Sequence, residues 1–114
     1  MPLMPPTIKT ATILNGTSLS AGVEIGEGVL VEIDVPTFTS AVLTFQVSSD
    51  GGTTYRDAYD AAAAEITLGA ATTGNRAVAA PATLNGAWWL KVRSGTSAAP
   101  VNQGADRTIT LVVK

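Results

Sequence analysis

Four stretches of this chain alternate apolar and polar residues with a period of two, and that periodicity constrains the fold more than any other feature. Val29, Val31, Ile33 and Val35 alternate with Leu30, Glu32 and Asp34. Leu43, Phe45 and Val47 alternate with Thr44, Gln46 and Ser48, and Ile109, Leu111 and Val113 with Thr108, Thr110 and Val112. In the fourth stretch Trp88, Leu90 and Val92 take one phase, and Trp89, Lys91 and Arg93 the other. A side-chain period of two belongs to strands with one buried face, and strands of that kind are mostly antiparallel. Weaker candidates are Thr7–Leu14, Thr54–Tyr59, Glu65–Leu68 and Arg76–Ala80, separated by turn signals such as Asn15-Gly16, Gly51-Gly52 and Asn85-Gly86. The spacing predicts an all-β antiparallel sandwich, jelly-roll-like, of about eight short strands.

The only helix-like composition, Ala61–Ala64, is too short to nucleate a helix and has no amphipathic stripe, so it is read as a loop. Pro2, Pro5 and Pro6 predict an extended N-terminal arm over residues 1–6, with a single sandwich domain over 7–114. Ser94–Asp106 reads as a long loop of small residues.

Composition narrows the function classes. Histidine and cysteine are both absent. The commonest general base, thiolate metal sites and disulfides are therefore unavailable, and no cofactor or metal site is expected. No Gly-x-Ser-x-Gly elbow or phosphate loop occurs, and no enzyme activity is expected. Asp50, Asp57 and Asp60 are close in sequence, but nothing opposes two carboxylates across a cleft, nor is there a calcium-loop spacing. They are read as surface charge. The net charge is −2 with no basic cluster, which argues against nucleic acid as a partner. No signal peptide or membrane-length apolar run is visible, so a cytoplasmic product without a membrane anchor is expected. Charged residues make up only 14% of the chain, a composition suited to packing against other protein.

Ser48-Ser49-Asp50-Gly51-Gly52-Thr53-Thr54-Tyr55 resembles the Asp-box of sialidases and related β-propellers. In that motif the acid and hydroxyl side chains bond to turn backbone, a glycine takes positive φ and the aromatic ring packs beneath. One copy makes no propeller, so Ser48, Asp50, Gly52, Thr54 and Tyr55 are read as a structural turn. Trp89 points away from Trp88 on a strand, beside Lys91 and Arg93, and is a candidate interface anchor or sugar-stacking platform. The partner-facing candidates are thus Pro2, Pro5, Pro6, Trp89, Lys91 and Arg93.

Three stretches (43–57, 89–100 and 106–112) resemble small tailed-bacteriophage virion proteins of the head decoration or minor capsid type. The resemblance implies a β-sandwich made in a host bacterial cytoplasm and displayed on the capsid surface. The implied partner is the major capsid protein lattice, which such a protein binds and stabilises as a homo-oligomer such as a trimer. The alternative is a carbohydrate-binding module of a phage tail or baseplate that contacts host-surface glycans.

Overall fold

A computed structural model describes residues 6–26, 28–68, 76–81, 84 and 89–114. Nine strands occur among them: β1 (Thr7–Ile13), β2 (Val23–Glu24), β3 (Leu30–Val35), β4 (Leu43–Ser48), β5 (Arg56–Asp57), β6 (Thr67–Leu68), β7 (Arg76–Ala79), β8 (Trp89–Ser94) and β9 (Arg107–Val113). They form two antiparallel sheets, ordered β1-β9-β3-β7 and β2-β8-β4-β5, with β6 also paired to β4. Chain neighbours thus fall in opposite sheets: β1 and β2, β3 and β4, β8 and β9. That alternation is the jelly-roll arrangement expected from the sequence, with one strand more than anticipated.

The core lies between the sheets. Ala11, Ile13, Ile109, Leu111 and Val113 line it from one side, and Leu43, Phe45, Leu90 and Val92 from the other, all buried. Within β9 the buried phase is the one the alternation predicts, and so are Leu43, Phe45, Leu90 and Val92, but Val47 is only partly buried and Thr44, Ser48, Arg93 and Ser94 of the opposite phase are buried as well. Trp88, expected in the same layer as Leu90, lies outside the described residues. Pro2 and Pro5 of the proline-rich arm also lie outside them, and Pro6 is exposed just before β1.

The phase expected for β3 is corrected. Leu30 is buried, whereas Val29 and Val31 are 41% and 36% exposed. The register against β9 shifts between Leu30 and Glu32, so an irregularity of bulge type inserts one residue and reverses the alternation upstream of Ile33. Leu30, Ile33 and Val35 therefore form the buried row.

Beyond Ser94, the last residue of β8, the segment to Asp106 carries no strand, yet it is pinned. Gln103, 1% exposed, donates from Nε2 to Ser94 Oγ at 2.6 Å and to the Thr39 carbonyl at 3.2 Å. Its Oε1 accepts from the Thr39 amide at 2.8 Å and from Arg107 Nε at 3.1 Å. A buried amide with its donors and acceptor in use holds a loop of small residues that has little apolar surface to bury.

Candidate functional site

The Ser48–Tyr55 turn closes the hairpin from β4 to β5 through side-chain bonds to its own backbone. Ser48 Oγ donates to Asp50 Oδ1 at 2.7 Å and accepts from the Gly52 amide at 3.0 Å. Asp50 Oδ1 also accepts the amides of Thr54 at 2.8 Å and Thr53 at 3.2 Å. Gly51 and Gly52 have φ of 77° and 89°, the left-handed region that an unbranched backbone tolerates. The Thr54 and Thr53 amides and the Ser48 hydroxyl stabilise the charged carboxylate, holding the Asp50 pKa at about 2 against an ordinary 3.8.

A depressed folded-state pKa gives stability that is present above the ordinary carboxylate value and lost as pH falls toward the folded one. The turn should therefore loosen between about pH 4 and pH 2. Asp50→Asn should flatten that part of the stability profile, as read by urea melts at stepped pH. An unchanged acid limb would refute the assignment.

Trp89 lies beneath this turn. In the β4–β8 register it sits directly opposite Ser48, and a Cβ added at Gly52 would stand 3.0 Å from its ring. The ring is half-buried under the protein's own hairpin. Tyr55 packs beside it: its hydroxyl abuts Gly22, and Lys91 Nζ lies 4.4 Å from its ring centroid. The Tyr55 hydroxyl is shut off from water and makes no hydrogen bond, and burial pushes its pKa up. Lys91 is half-buried and its ammonium is engaged with this ring.

Arg93 does not share that setting. Expected beside Trp89 on a partner-facing surface, it is instead only 7% exposed. Its Nε donates to Thr44 Oγ1 at 3.0 Å, Nη1 to Asp57 Oδ1 at 2.8 Å and Nη2 to Glu65 Oε2 at 2.9 Å. Glu65 in turn accepts the Ser97 amide at 3.1 Å, and Asp57 accepts Gln46 Nε2 at 3.1 Å. The guanidinium therefore ties β5, the segment before β6 and the post-β8 loop to the sheet. This is a correction for Arg93, whose donors are used inside the chain, and for Asp57, read from sequence as surface charge. The Arg93 bond is the first cause holding Asp57 below the ordinary carboxylate range. Asp60 likewise serves a turn, accepting the amides of Ala62 at 2.8 Å and Ala64 at 3.0 Å.

Sequence reasoning did not find Glu65, Thr44 or Gln103, because their partners come from distant parts of the chain. The one signal available was a long amide, Gln103, set in a run of small residues. Among the described residues no group of three acidic side chains stands where it could hold a metal ion. No helix among them is long and apolar enough to cross a membrane.

The opposite sheet presents a different outer surface. Because Ala11, Ile13, Ile109 and Leu111 point inward, Thr10, Thr12, Thr108 and Thr110 point outward, Thr10 paired with Thr110 and Thr12 with Thr108. Next to them stand Val112, Ala77 and Ala79, with Glu32 and Asp34 side by side on β3. No family model matches the sequence, and no curated protein matches it. Among solved structures, the crystal structure of SPBc2 prophage-derived protein YomS aligns with 99% of this chain and 97% of its own, at a TM-score of 0.55 and 12% identity. The two chains share a fold. The alignment spans both sheets, so the likeness is of the whole sandwich and not of one hairpin.

Proposed function

We propose that this chain is a structural phage virion protein, a head decoration protein that binds and stabilises the major capsid protein lattice. The observation that carries this reading is the end-to-end fold likeness to a prophage-derived protein. It agrees with the resemblance to small tailed-phage virion proteins carried by residues 43–57, 89–100 and 106–112. The architecture suits the role: a jelly roll whose outer sheet face carries Thr, Ala and Val beside Glu32 and Asp34 can lie against another protein. Weak contacts of one domain would be multiplied across a repeating lattice, above all if the domain forms small homo-oligomers.

The glycan-binding alternative draws no support from the two aromatic rings. Trp89 is seated under Gly52, and Tyr55 has Lys91 against its ring, so neither offers an open flat platform for a sugar.

Heads, tails and complete particles of the phage that encodes the chain should be separated and probed with purified protein. Co-sedimentation with heads, and density over the capsid lattice in cryo-electron microscopy, is the expected result. Removal of residues 2–6 should weaken attachment without changing the melting temperature by more than a degree or two. Attachment to tails alone would overturn the head assignment.

A further inference from the structure

β1 is the outermost strand of its sheet, paired with β9 on one side and with no strand on the other among the described residues. Its ladder runs through all seven residues from Thr7 to Ile13 without a register shift. Every second residue of such a strand turns its N–H and C=O away from the neighbour, toward the free edge. Among the described residues no turn or loop hydrogen bond reaches the backbone of Thr7–Ile13. The crossover to the opposite sheet is tied down beyond the strand's end, where Gly16 donates to the Gln103 carbonyl at 2.8 Å and Gln103 to the Thr17 carbonyl at 2.9 Å. Thr7, Ile8 and Thr10 are exposed. Free edges are usually blunted by shortness, bulges or proline, and the other edges here are short: β7 has four residues, β2 and β5 two each. β1 is long, regular and free of proline.

The side chains along β1 select what can pair with it. Its outward row is Ile8, Thr10 and Thr12, flanked by the exposed Pro6 and Leu14. Leu14 and Ile8, at 56% and 55%, are the two most exposed large apolar side chains among the described residues. The row is self-complementary about Thr10. Laid antiparallel on a second copy with the two-fold axis at Thr10, every residue keeps its face. Thr10 meets Thr10, Ile8 meets Thr12, and Leu14 meets Pro6. Leu14 is then also the diagonal neighbour of Ile8 in the second copy, so the exposed apolar groups at the strand's two ends cover one another. Lys9, the only charge on the strand, lies in the inward row opposite Leu111. In this register it meets Ala11 of the second copy and not its own counterpart.

We infer that β1 is a dimerisation edge, to which a second copy of this chain adds its own β1 antiparallel. The two four-stranded sheets become one continuous sheet, and the main-chain groups of the free edge find their partners. The contact is isologous and closes on itself, because the far edge of each sheet is the short β7, with Pro81 two residues past its end. The inference names the surface and symmetry of the homo-oligomer that suits the capsid reading, but it does not rest on that reading.

Sedimentation equilibrium of the full chain at up to about 0.1 mM should give the mass of two chains, the high concentration being needed because the interface is small. Thr10→Lys and Thr10→Glu each set two like charges face to face across the axis and should weaken association at least tenfold, with the circular dichroism of the parent retained. An equimolar mixture of the two variants should restore the dimer, which a folding defect would not do. Thr10→Cys, in a chain without cysteine, should give a disulfide-linked dimer on oxidation with diamide, whereas Thr110→Cys, one strand further in, should not. A parent that stays monomeric at that concentration, or forms trimers, overturns the inference. So does a dimer that both charged variants keep within twofold, a mixture that stays monomeric, or equal linking through Thr110→Cys. Co-sedimentation with heads is measured separately. A chain that dimerises through β1 but ignores heads fails the capsid reading alone, and one that binds heads as a monomer fails this inference alone.

Discussion

Arg93→Met is expected to lower the unfolding free energy by about 3 kcal/mol, because it leaves two carboxylates facing a buried site without their cation. The figure sits at the low end for a broken buried pair, since the Asp57 side chain is 34% exposed and water can compensate part of the loss. The Glu65 side chain is only 14% exposed and cannot be rescued in this way. Thr44 Oγ1 would also lose its charged donor, although it keeps its own bond to the Gly95 carbonyl at 2.6 Å. Arg93→Lys should recover little, because one ammonium cannot span Thr44, Asp57 and Glu65 as the planar fork does. Adding Asp57→Asn and Glu65→Gln to Arg93→Met should recover most of the loss, since the uncompensated charges are then gone. The Arg93→Met deficit should also shrink with falling pH. Asp57 has a depressed folded pKa, so its stabilisation is present above the ordinary carboxylate value and lost below it. Urea unfolding at pH 7 and at pH 3 tests all of this, and a deficit under about 1 kcal/mol at pH 7 would show the network to be dispensable.

Gly95→Ala is expected to cost at least about 2 kcal/mol, through backbone conformation and crowding together. Gly95 has φ of 88°, and a Cβ there would stand 2.5 Å from the Ala99 carbonyl oxygen and 2.7 Å from the Val101 nitrogen. Both are backbone atoms, so no side-chain rotation relieves the contact. The shift would pull on the Gly95 amide, which donates to the Val42 carbonyl at 2.7 Å, and on the Val101 amide, which donates to Ser94 at 2.8 Å. Gly51→Ala is the control: φ is 77°, but nothing lies within 4 Å of the added Cβ. It should cost only about 1 kcal/mol, the conformational part alone. Thermal melts of the two variants should differ clearly, and hydrogen exchange should show the Gly95→Ala loss spreading over residues 95–101. Equal costs would refute the crowding argument.

Much of the sandwich is legible in the sequence because burial on one face of a strand imposes a period of two on β4, β8 and β9. The same reasoning misplaces the first half of β3, since a single inserted residue at Leu30–Glu32 is invisible to a pattern that assumes unbroken alternation. The two-residue strands β2, β5 and β6 are too short to carry a period at all. The hairpin turn is legible because its bonds are local: Ser48, Asp50 and the amides they hold lie within a few residues. The burial of Arg93 is not legible, because Thr44, Asp57 and Glu65 reach it from 49, 36 and 28 positions away.

The pairing of β1 with β9 has a consequence in time. Thr12 and Thr108 meet across 96 positions of chain, and every pair from Thr7–Val113 to Ile13–Arg107 is comparably remote. β1 has no other ladder partner, and β3 meets its own sheet only through β9 and β7. A nascent chain emerging at about 5–20 residues per second would therefore hold β1 unpaired for roughly 5 to 20 s. During that interval β1 and β3 lack the β9 strand that lies between them in the sheet, while β4 can already close its hairpin through the Asp50 turn. One sheet is thus set to begin early and locally, and the other to close last, by joining distant segments.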